Sequence, residues 1–383
     1  MKTPQPTTTA RRQFIKHAAM LAPAITLFPS WLTASTGSRL RVAFIGMGEW
    51  GQQYLRTALL HKDIAVHAVC EHDTAALQQA KQIFRSAGMA LPALYNEGAT
   101  DYTKLLTRRD IDAVIIATPW QTHYEIAKAA LLAGKHVACG AIMGSTVEEH
   151  WDIVNTSKQT GKQYVTLDEL SYRPELMAIT SLVKEGKLGE LQTIHAGADY
   201  AALNNTTISG TQPYPVYPAA ATADLLGISA TNQYISLSVQ ERQQSYVISK
   251  ADPKTGKPQL IITNGLVNSI SLGTSNNQSV LFQSNFNTHS FSTGFWLQAT
   301  GGHWTDLSKS VQITGEHAAH LNLNSNHPQG NIALALHDFV NKVRQPTEQL
   351  AVCAAATNSV IGTLAGLSAA QNGATIQFPD FYS

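Results

Sequence analysis

Apolar and polar residues follow a strand–helix rhythm between residues 40 and 168. Short runs of consecutive apolar residues, typical of strands buried on both faces, are followed by segments whose apolar positions recur every three or four residues, typical of helices packed on a sheet. Strands are predicted at residues 40–45, 64–70, 111–117, 135–139 and 163–167, and helices at 52–60, 74–87, 125–133 and 146–160. This alternation predicts an α/β fold with a doubly wound parallel sheet of the Rossmann type.

The pattern changes after residue 168, where β-rich runs dominate. Strands are predicted at residues 191–200, 234–250, 259–263, 280–287, 294–300 and 310–314. Two helical stretches follow at 332–343 and 351–370, separated by Pro346. We therefore expect a Rossmann domain over residues 36–168 and a C-terminal domain over 169–383.

The first 35 residues have the pattern of a secretion signal rather than of a folded segment. The paired Arg11 and Arg12 stand close to the N-terminus, the mildly apolar stretch 17–32 follows, and small residues come next. Arginines paired in this way are typical of twin-arginine export, which predicts a periplasmic or secreted protein. A buried N-terminal helix or a membrane anchor is the alternative, but the apolar stretch is short and two prolines interrupt it, so no stable anchor is expected.

Composition narrows the function classes. The chain has 383 residues, long enough for two domains, and its 27 basic residues nearly balance 26 acidic ones. This balance argues against binding of nucleic acid, which needs a surplus of basic residues against phosphate. The three cysteines have neither metal-ligand spacing nor the number for a disulfide framework, so no metal site is expected.

A glycine-rich turn directly follows the first predicted strand and opens the first predicted helix. Its sequence is Gly46-Met47-Gly48-Glu49-Trp50-Gly51. Gly46 suits the tight turn, Gly48 lets the backbone approach a pyrophosphate, and Gly51 lets the helix pack on the strand. The helix N-terminus would add amide hydrogens and a positive dipole end for the phosphates. The alternative is a chance glycine turn.

An acidic residue stands where a dinucleotide site needs one. Glu71 ends the second predicted strand, twenty residues after Gly51. Its carboxylate can accept hydrogen bonds from ribose hydroxyls and repels a 2′-phosphate, so NAD is the predicted cofactor.

Three chain segments follow later strands and should meet at the carboxyl edge of the sheet, where such sheets bind ligands. They contribute Trp120 and His123, then Gly140 and Ala141, and finally Glu169. We predict that all five line the cofactor site. For Trp120 and His123 the alternative is a helix-entry turn with one packed aromatic side chain.

These segments resemble the Gfo/Idh/MocA oxidoreductase superfamily, and more closely glycoside hydrolase family 109, the NAD-dependent N-acetylgalactosaminidase group. The closer resemblance rests on Thr-Pro-Trp at 118–120, Asp-Glu-Leu-Ser-Tyr-Arg at 168–173, Tyr-Pro at 214–215 and Phe-Pro-Asp-Phe at 378–381. It implies a Rossmann domain followed by an α+β domain whose large open mixed sheet walls the substrate site. It also implies a carbohydrate substrate that is oxidised at C3, loses its C2 proton and C1 leaving group, gains water and is reduced again.

The expected site residues depart from the pattern of both groups. The general oxidoreductases carry Glu-Lys-Pro where this chain has Gly140-Ala141-Ile142, so their acid/base lysine is absent. The glycosidase group keeps a glutamate where Gly140 stands, and a histidine where Tyr217 stands. Another site histidine aligns with Tyr200, and a site tyrosine with Phe291.

Tyrosines take the place of the expected proton-handling groups. Tyr214 is kept from the glycosidase pattern and would orient the sugar, while Tyr217 or Tyr200 would move protons. Histidine titrates near about 6.5 and suits acid/base work, whereas tyrosine titrates near about 10 and needs a cationic neighbour. Other candidate acids or bases are Asp168, Asp199 and His195, although a strand-end cap, a solvated charge and a packed histidine are the respective alternatives.

Three functions fit these residues. The first is an exported NAD-dependent sugar-active enzyme of the glycosidase-like branch, and the second is a protein that retains NAD and binds sugar without turnover. The third, a plain sugar oxidoreductase, is disfavoured by the missing lysine. An exposed face on the second sheet would suit a homodimer.

Overall fold

The fold is described from a computed structural model, which covers residues 38–198, 216–251, 258–284, 293–306, 310–314, 319–320, 330–345 and 350–383. Residues Leu40–Ser383 group into a single unit. The proposed boundary between residues 168 and 169 stays a prediction, and the predicted leader at residues 1–35 lies outside the described residues.

The N-terminal sheet is the predicted doubly wound parallel sheet. Its strands run in the order β3-β2-β1-β4-β5-β6, and all neighbours pair in parallel. The strands are β1 (Leu40–Ile45), β2 (Ile64–Cys70), β3 (Ala93–Tyr95), β4 (Ala113–Ile116), β5 (His136–Cys139) and β6 (Tyr164–Thr166). Strand β3 was not predicted, because three residues are too few to give a pattern. The strand order reverses between β1 and β4, and ligands of such sheets bind beyond the strand ends at that point.

Helices connect these strands, and four of them match predicted helices with small shifts at their ends, whereas the short helix Tyr102–Leu106 was not predicted. They are α1 (Glu49–Leu60), α2 (Thr74–Ser86), α3 (Tyr102–Leu106), α4 (His123–Leu132) and α5 (Val147–Thr160). Helix α2 begins where the Asp73 carboxylate accepts from the Ala76 amide at 2.7 Å, and α5 begins where the Thr146 hydroxyl accepts from the Glu149 amide at 3.2 Å. Helix α5 ends at Gly161, whose φ of 66° is the left-handed conformation that closes many helices.

The C-terminal half builds the large mixed sheet that the resemblance implied. Its described strands run in the order β14-β13-β12-β11-β7-β10-β9-β8-β15, and β7 and β10 pair in parallel within an otherwise antiparallel set. The strands are β7 (Leu191–Ala198), β8 (Tyr234–Ala251), β9 (Pro258–Thr274), β10 (Ser279–Ser284), β11 (Thr293–Ala299), β12 (Gly302–Thr305), β13 (Ser310–Ile313), β14 (Ala319–His320) and β15 (Ile376–Gln377). Strand β9 is much longer than the predicted 259–263, because it pairs with β8 along almost its whole length.

Four helices complete the described part of the second half. They are α6 (Pro174–Lys184), α7 (Ala219–Leu226), α8 (Gly330–Arg344) and α9 (Leu350–Ala370). Helices α8 and α9 are the predicted closing pair, whereas α6 and α7 were not predicted. Both missed helices begin at or next to a proline, Pro174 and Pro218, a residue that fits the first helical turn but weakens a helical pattern in the sequence.

Helix α9 is the apolar centre of the molecule. It contacts α5 and β6 on the Rossmann side and β8 of the second sheet. Within the described residues it is the one helix whose length and composition would let it cross a membrane, but 78% of that stretch is buried inside the protein. Its apolar surface is therefore covered by the two sheets and their helices.

Two leucines on α1 offer a matched test of this packing. Leu55 is fully buried in the Rossmann core, whereas Leu60 is 82% exposed. We expect Leu55→Ala to lower the free energy of unfolding by about 2–5 kcal/mol and Leu60→Ala by less than about 1 kcal/mol, because only the first leaves a cavity. Urea denaturation followed by circular dichroism measures both, and equal losses would show that α1 does not pack as described.

Candidate functional site

The glycine turn after β1 is set by two close approaches of backbone. Gly46 has a φ of +93°, and a Cβ there would lie 2.6 Å from the carbonyl carbon of Ala117. A Cβ on Gly51 would lie 2.6 Å from the Gly46 oxygen. Neither position accepts a side chain, so the chain after β1 is held tightly against the end of β4.

Gly48, between these two, faces open space. A Cβ there would meet no protein atom within 4 Å among the described residues. Gly48 is also the N-cap of α1, and no described side chain caps that end of the helix. Its first amides and positive dipole end are thus available to an anion, which is the arrangement that holds a pyrophosphate.

Glu71 completes this cradle from the neighbouring strand. It is buried, its Oε2 accepts from the Met47 amide at 2.7 Å, and its Oε1 accepts from the Asp73 amide at 2.7 Å. Each carboxylate oxygen keeps a further lone pair with which it can accept a ribose hydroxyl. The predicted turn and its predicted acidic residue therefore lie together, and their shape fits a dinucleotide.

His123 links two strand-end loops on the other side of the strand-order reversal. The ring is buried, its Nδ1 lies 2.7 Å from the Ile142 carbonyl oxygen and its Nε2 lies 2.9 Å from the Thr118 carbonyl oxygen. Burial by itself would lower the pKa of this imidazole, but the neighbouring Cys139 and the two carbonyl oxygens raise it to about 9. Contact with NAD, predicted for His123, stays a prediction, and the structure shows a ring that ties the 118–120 and 140–142 segments together.

The segment from Gly140 to Met143 is fixed from its far side by a chain of hydrogen bonds. The Met143 amide donates to Ser359 Oγ at 2.7 Å, and Ser359 Oγ lies 2.8 Å from His150 Nε2. His150 Nδ1 in turn lies 2.6 Å from the Thr146 carbonyl oxygen. A carbonyl only accepts, so Nδ1 carries the proton and Nε2 accepts from the serine. Burial lowers the pKa of His150 to about 4, which agrees with a neutral ring.

The remaining predicted cofactor residues border the same edge. Trp120 is half-buried in a one-turn 3₁₀ helix, Trp120–Thr122, that leads into α4. This position matches the alternative of a helix-entry turn, and Trp120 still lies at the carboxyl edge of the sheet. Gly140 and Ala141 are also partly exposed there, and a Cβ on Gly140 would lie 3.4 Å from His123 Cε1.

Glu169 and Asp168 follow β6 at this edge. Glu169 Oε2 accepts from the Tyr54 hydroxyl at 3.0 Å, and the Tyr54 ring lies 4.1 Å from the ring of Trp50 in the glycine turn. Asp168 Oδ2 accepts from the hydroxyl of Ser171 at 2.6 Å and from its amide at 3.2 Å. Glu169 is thereby oriented toward the glycine turn.

The pKa of the Asp168 carboxyl group is shifted toward neutral pH. Burial raises its pKa to about 6 against the opposing hydrogen bonds from Ser171. Its Oδ1 accepts a single hydrogen bond, from the Leu170 amide at 3.0 Å. The predicted strand-end cap is thus present, and a titratable oxygen remains on the same group.

Of the three tyrosines predicted to be catalytic, Tyr217 is described. It is 40% exposed, and partial burial together with the charge of Glu169 raises the pKa of its phenol. Tyr200 and Tyr214 lie outside the described residues, as do Asp199 and Phe291. The catalytic roles of the tyrosines stay predictions.

His195 packs against an aromatic side chain within the second sheet. It pairs in register with Trp296 of β11, and the two rings are 4.9 Å apart. Burial lowers its pKa. This is the packed histidine given above as its alternative role.

Sequence reasoning missed the residues that hold the site from behind. Ser359 and His150 lie 209 residues apart and Tyr54 and Glu169 lie 115 apart, so no local pattern connects them. One of these residues could have been noticed in the sequence, because His150 is a histidine on the apolar side of a predicted helix. Among the described residues no group of three or more His, Cys, Asp or Glu is placed to hold a metal ion.

The parallel sheet, the glycine turn and Glu71 define a dinucleotide-binding protein of the Rossmann class. Residues 40–168 match the profile of the Gfo/Idh/MocA family, described as an oxidoreductase family with an NAD-binding Rossmann fold. The chain thus carries the NAD-binding domain of the Gfo/Idh/MocA oxidoreductases, and its cofactor is NAD.

Similarity to named relatives extends beyond that domain. A glycosyl hydrolase family 109 protein of Stenotrophomonas maltophilia is 27% identical over 97% of this chain and 95% of its own length. An alpha-N-acetylgalactosaminidase of Tannerella forsythia is 26% identical over 89% of this chain and 86% of its own. Both resemblances inferred from the sequence, to the superfamily and to family 109, are confirmed.

Solved structures support the fold. An oxidoreductase from Agrobacterium radiobacter in complex with NAD+, L-tartaric acid and magnesium aligns with a TM-score of 0.67 at 15% identity. The alignment covers 89% of this chain and 99% of the other. The predicted fold class, a Rossmann domain followed by a large mixed sheet, is confirmed.

Substitutions at two glycines of the turn should affect stability and cofactor binding separately. Gly51→Ala places a methyl group against the Gly46 oxygen and should lower the melting temperature by several degrees, since even small overpacking costs about 1–3 kcal/mol. Gly48→Ala should leave the melting temperature of the cofactor-free protein almost unchanged, because its methyl group would meet no described atom within 4 Å, and should weaken NAD binding, because it would occupy space at the N-terminus of α1 where the pyrophosphate is expected. Scanning calorimetry with and without NAD measures both effects, and unchanged NAD affinity in Gly48→Ala would contradict the assignment of the cradle.

Proposed function

We propose that this chain is an exported NAD-dependent enzyme acting on carbohydrates by the route of the family 109 glycosidases. The observation that carries the proposal is the likeness to two family 109 proteins over about nine tenths of the chain, beside an edge where Gly140 and Ala141 offer no acid/base lysine. NAD, when bound, would accept a hydride from the sugar and return it in the same cycle. A reaction that regenerates its cofactor suits a protein outside the cytoplasm, where free NAD is scarce.

Tyr217 is proposed as the proton donor. Its raised pKa keeps the phenol protonated at neutral pH, so it can donate a hydrogen bond or a proton and cannot serve as a resting base. Its partial exposure and its interaction with the charge of Glu169 support a place at the substrate side of the edge.

Asp168 is proposed as the base. A pKa of about 6 leaves it mostly ionised at neutral pH and close enough to that pH to take up a proton. Its Oδ1, which accepts one hydrogen bond, has a lone pair free for this work. Glu169, which accepts from the Tyr54 hydroxyl, would orient bound groups.

Export by the twin-arginine route, proposed from Arg11 and Arg12, would fit this cofactor. The route carries folded proteins, so NAD could be bound in the cytoplasm and travel with the chain. The tight glycine turn and the buried Glu71 are features that would favour its retention.

A binding protein that keeps NAD without turnover is the second candidate. It is favoured by Gly140, which brings no carboxylate beside His123, and by the high pKa of Tyr217. Gly140 has room for a side chain, since a Cβ would meet its nearest neighbour at 3.4 Å and its φ is not positive.

The reaction is tested on the purified protein in deuterated water. We expect bound NAD by mass measurement, cleavage of a chromogenic N-acetylgalactosaminide without net formation of NADH, and deuterium at C2 of the released sugar. Deuterium at C2 follows from removal and return of that proton, which direct hydrolysis does not require. Asp168→Asn should retain NAD and lose at least about 100-fold in rate, the usual contribution of a general base. Cleavage without deuterium at C2 would contradict the proposed route.

A double variant separates the two candidates if the native protein proves inactive. Gly140→Glu with Tyr217→His restores the groups of the glycosidase pattern, and Gly140→Ala with Tyr217→Phe is the matched control. Activity gained by the first pair alone would identify a binding protein descended from the enzymes. Reduction of bound NAD by free aldoses would identify a sugar oxidoreductase instead.

We further propose that the second sheet forms a homodimer through its outer face. Trp296, His195 and Leu281 lie side by side on β11, β7 and β10 and are half-exposed, whereas the residues before and after them on each strand are buried. Light scattering should give twice the mass of one chain. Leu281→Glu should reduce the measured mass to that of one chain, whereas Leu60→Glu on the exposed side of α1 should leave it unchanged. A mass of one chain for the native protein would disprove the dimer.

A further inference from the structure

His123 has a hydrogen-bond arrangement that fixes its charge. Both ring nitrogens lie within hydrogen-bond distance of carbonyl oxygens, Nδ1 at 2.7 Å from Ile142 and Nε2 at 2.9 Å from Thr118. Because carbonyl oxygens only accept, each nitrogen must carry a proton to make a bond. In a neutral ring, the lone pair of one nitrogen would face the lone pair of a carbonyl oxygen. That nitrogen would then be a buried acceptor without a hydrogen bond, which is unfavourable.

The surroundings support a cation. The carbonyl oxygens contribute their negative ends at both nitrogens, and the sulfur of Cys139, which faces the ring from β5, adds to the rise in the pKa of the ring only when it is ionised. The pKa of about 9 agrees with a ring that remains charged at neutral pH although it is buried.

The position of this charge follows from the topology. Thr118 lies just beyond β4 and Ile142 just beyond β5, whereas the glycine turn follows β1 on the other side of β4. The ring thus lies at the carboxyl edge beside the strand-order reversal, on the side away from Glu71 and β2. Glycine at position 140 adds no side chain between the Cε1 edge of the ring and the space above the edge.

We propose that His123 is a permanently protonated positioning residue that fixes both loops of the nicotinamide side and shifts the bound cofactor toward its reduced form. The nicotinamide ring of NAD+ carries a positive charge and that of NADH does not. A buried cation on the same side of the site therefore disfavours the oxidised form, since charges interact strongly in a low-dielectric surrounding. The bias would help the cofactor accept a hydride.

This inference rests on the NAD site alone. It holds for a glycosidase, an oxidoreductase or a binding protein, so failure of the proposed sugar reaction would leave it intact. Its test accordingly uses protonation and cofactor affinity rather than turnover.

The charge is tested first on the native protein. With ¹⁵N-labelled histidine, NMR at pH 7 should show two protonated ring nitrogens for His123, assigned by the loss of its signals in His123→Gln. One unprotonated nitrogen at this pH would overturn the proposal, whether or not any variant folds.

The effect on the cofactor is tested by the dissociation constants of NAD+ and NADH for the full chain. We expect His123→Gln to lower the ratio of the NAD+ constant to the NADH constant by about 3- to 10-fold, the size expected for one charge at moderate distance. If His123 had a merely structural role, its substitution would weaken the binding of NAD+ and NADH equally and leave the ratio unchanged. That result would overturn the proposed bias.

A neutral histidine of the same strand region gives the matched control. His136 begins β5 at the opposite edge of the sheet, accepts from the Gln163 amide at 3.0 Å and has a pKa lowered by burial to about 4. His136→Gln should leave the NAD+ to NADH ratio unchanged. An equal change in both variants would show that the ratio does not report the charge of His123.

Discussion

The burial of helix α9 between the two sheets is the constraint on which the rest of the structure depends. A helix that is apolar on every side cannot face water, so it must be covered from both directions. Rossmann elements α5 and β6 cover one side and β8 of the second sheet covers another. This shared burial fixes the second sheet against the NAD-binding domain, although the helix lies almost 200 residues beyond the last Rossmann strand along the chain.

The same helix sets the position of a site loop through one polar residue. Ser359 accepts from the Met143 amide and bonds to His150, while His123 holds the neighbouring Ile142 carbonyl from the other side. The Gly-Ala-Ile sequence at 140–142 offers no polar side chain of its own, and the hydrogen bonds described here hold it at its end, between His123 and the Ile142 carbonyl and between the Met143 amide and Ser359. One of the two histidines is neutral and the other is charged, because one bonds to a hydroxyl and a carbonyl and the other to two carbonyls.

These distances along the chain explain what the sequence could predict. The glycine turn and Glu71 are close in sequence and obey a local steric rule, so they were found together with the parallel sheet. The roles of Ser359 and Tyr54 depend on contacts more than a hundred residues away, and tertiary packing alone decides them. The sequence predicts His123 at the cofactor edge, but only the structure shows that both of its ring nitrogens lie within hydrogen-bond distance of backbone carbonyl oxygens.

The surroundings of Asp168 and Tyr217 indicate which of them would take up a proton and which would donate one in the proposed reaction. Burial disfavours the charged form of every acid, so it raises the pKa of a phenol and of a carboxyl group alike. For Asp168 the shift brings the group to about 6, within reach of neutral pH, whereas for Tyr217 the shift moves the group further from it. Burial thereby separates the two proposed roles: the carboxylate can take a proton and the phenol can only hold or donate one. In the proposed reaction, an edge without lysine, and with tyrosine in place of histidine, would still supply the base and the acid that an elimination requires.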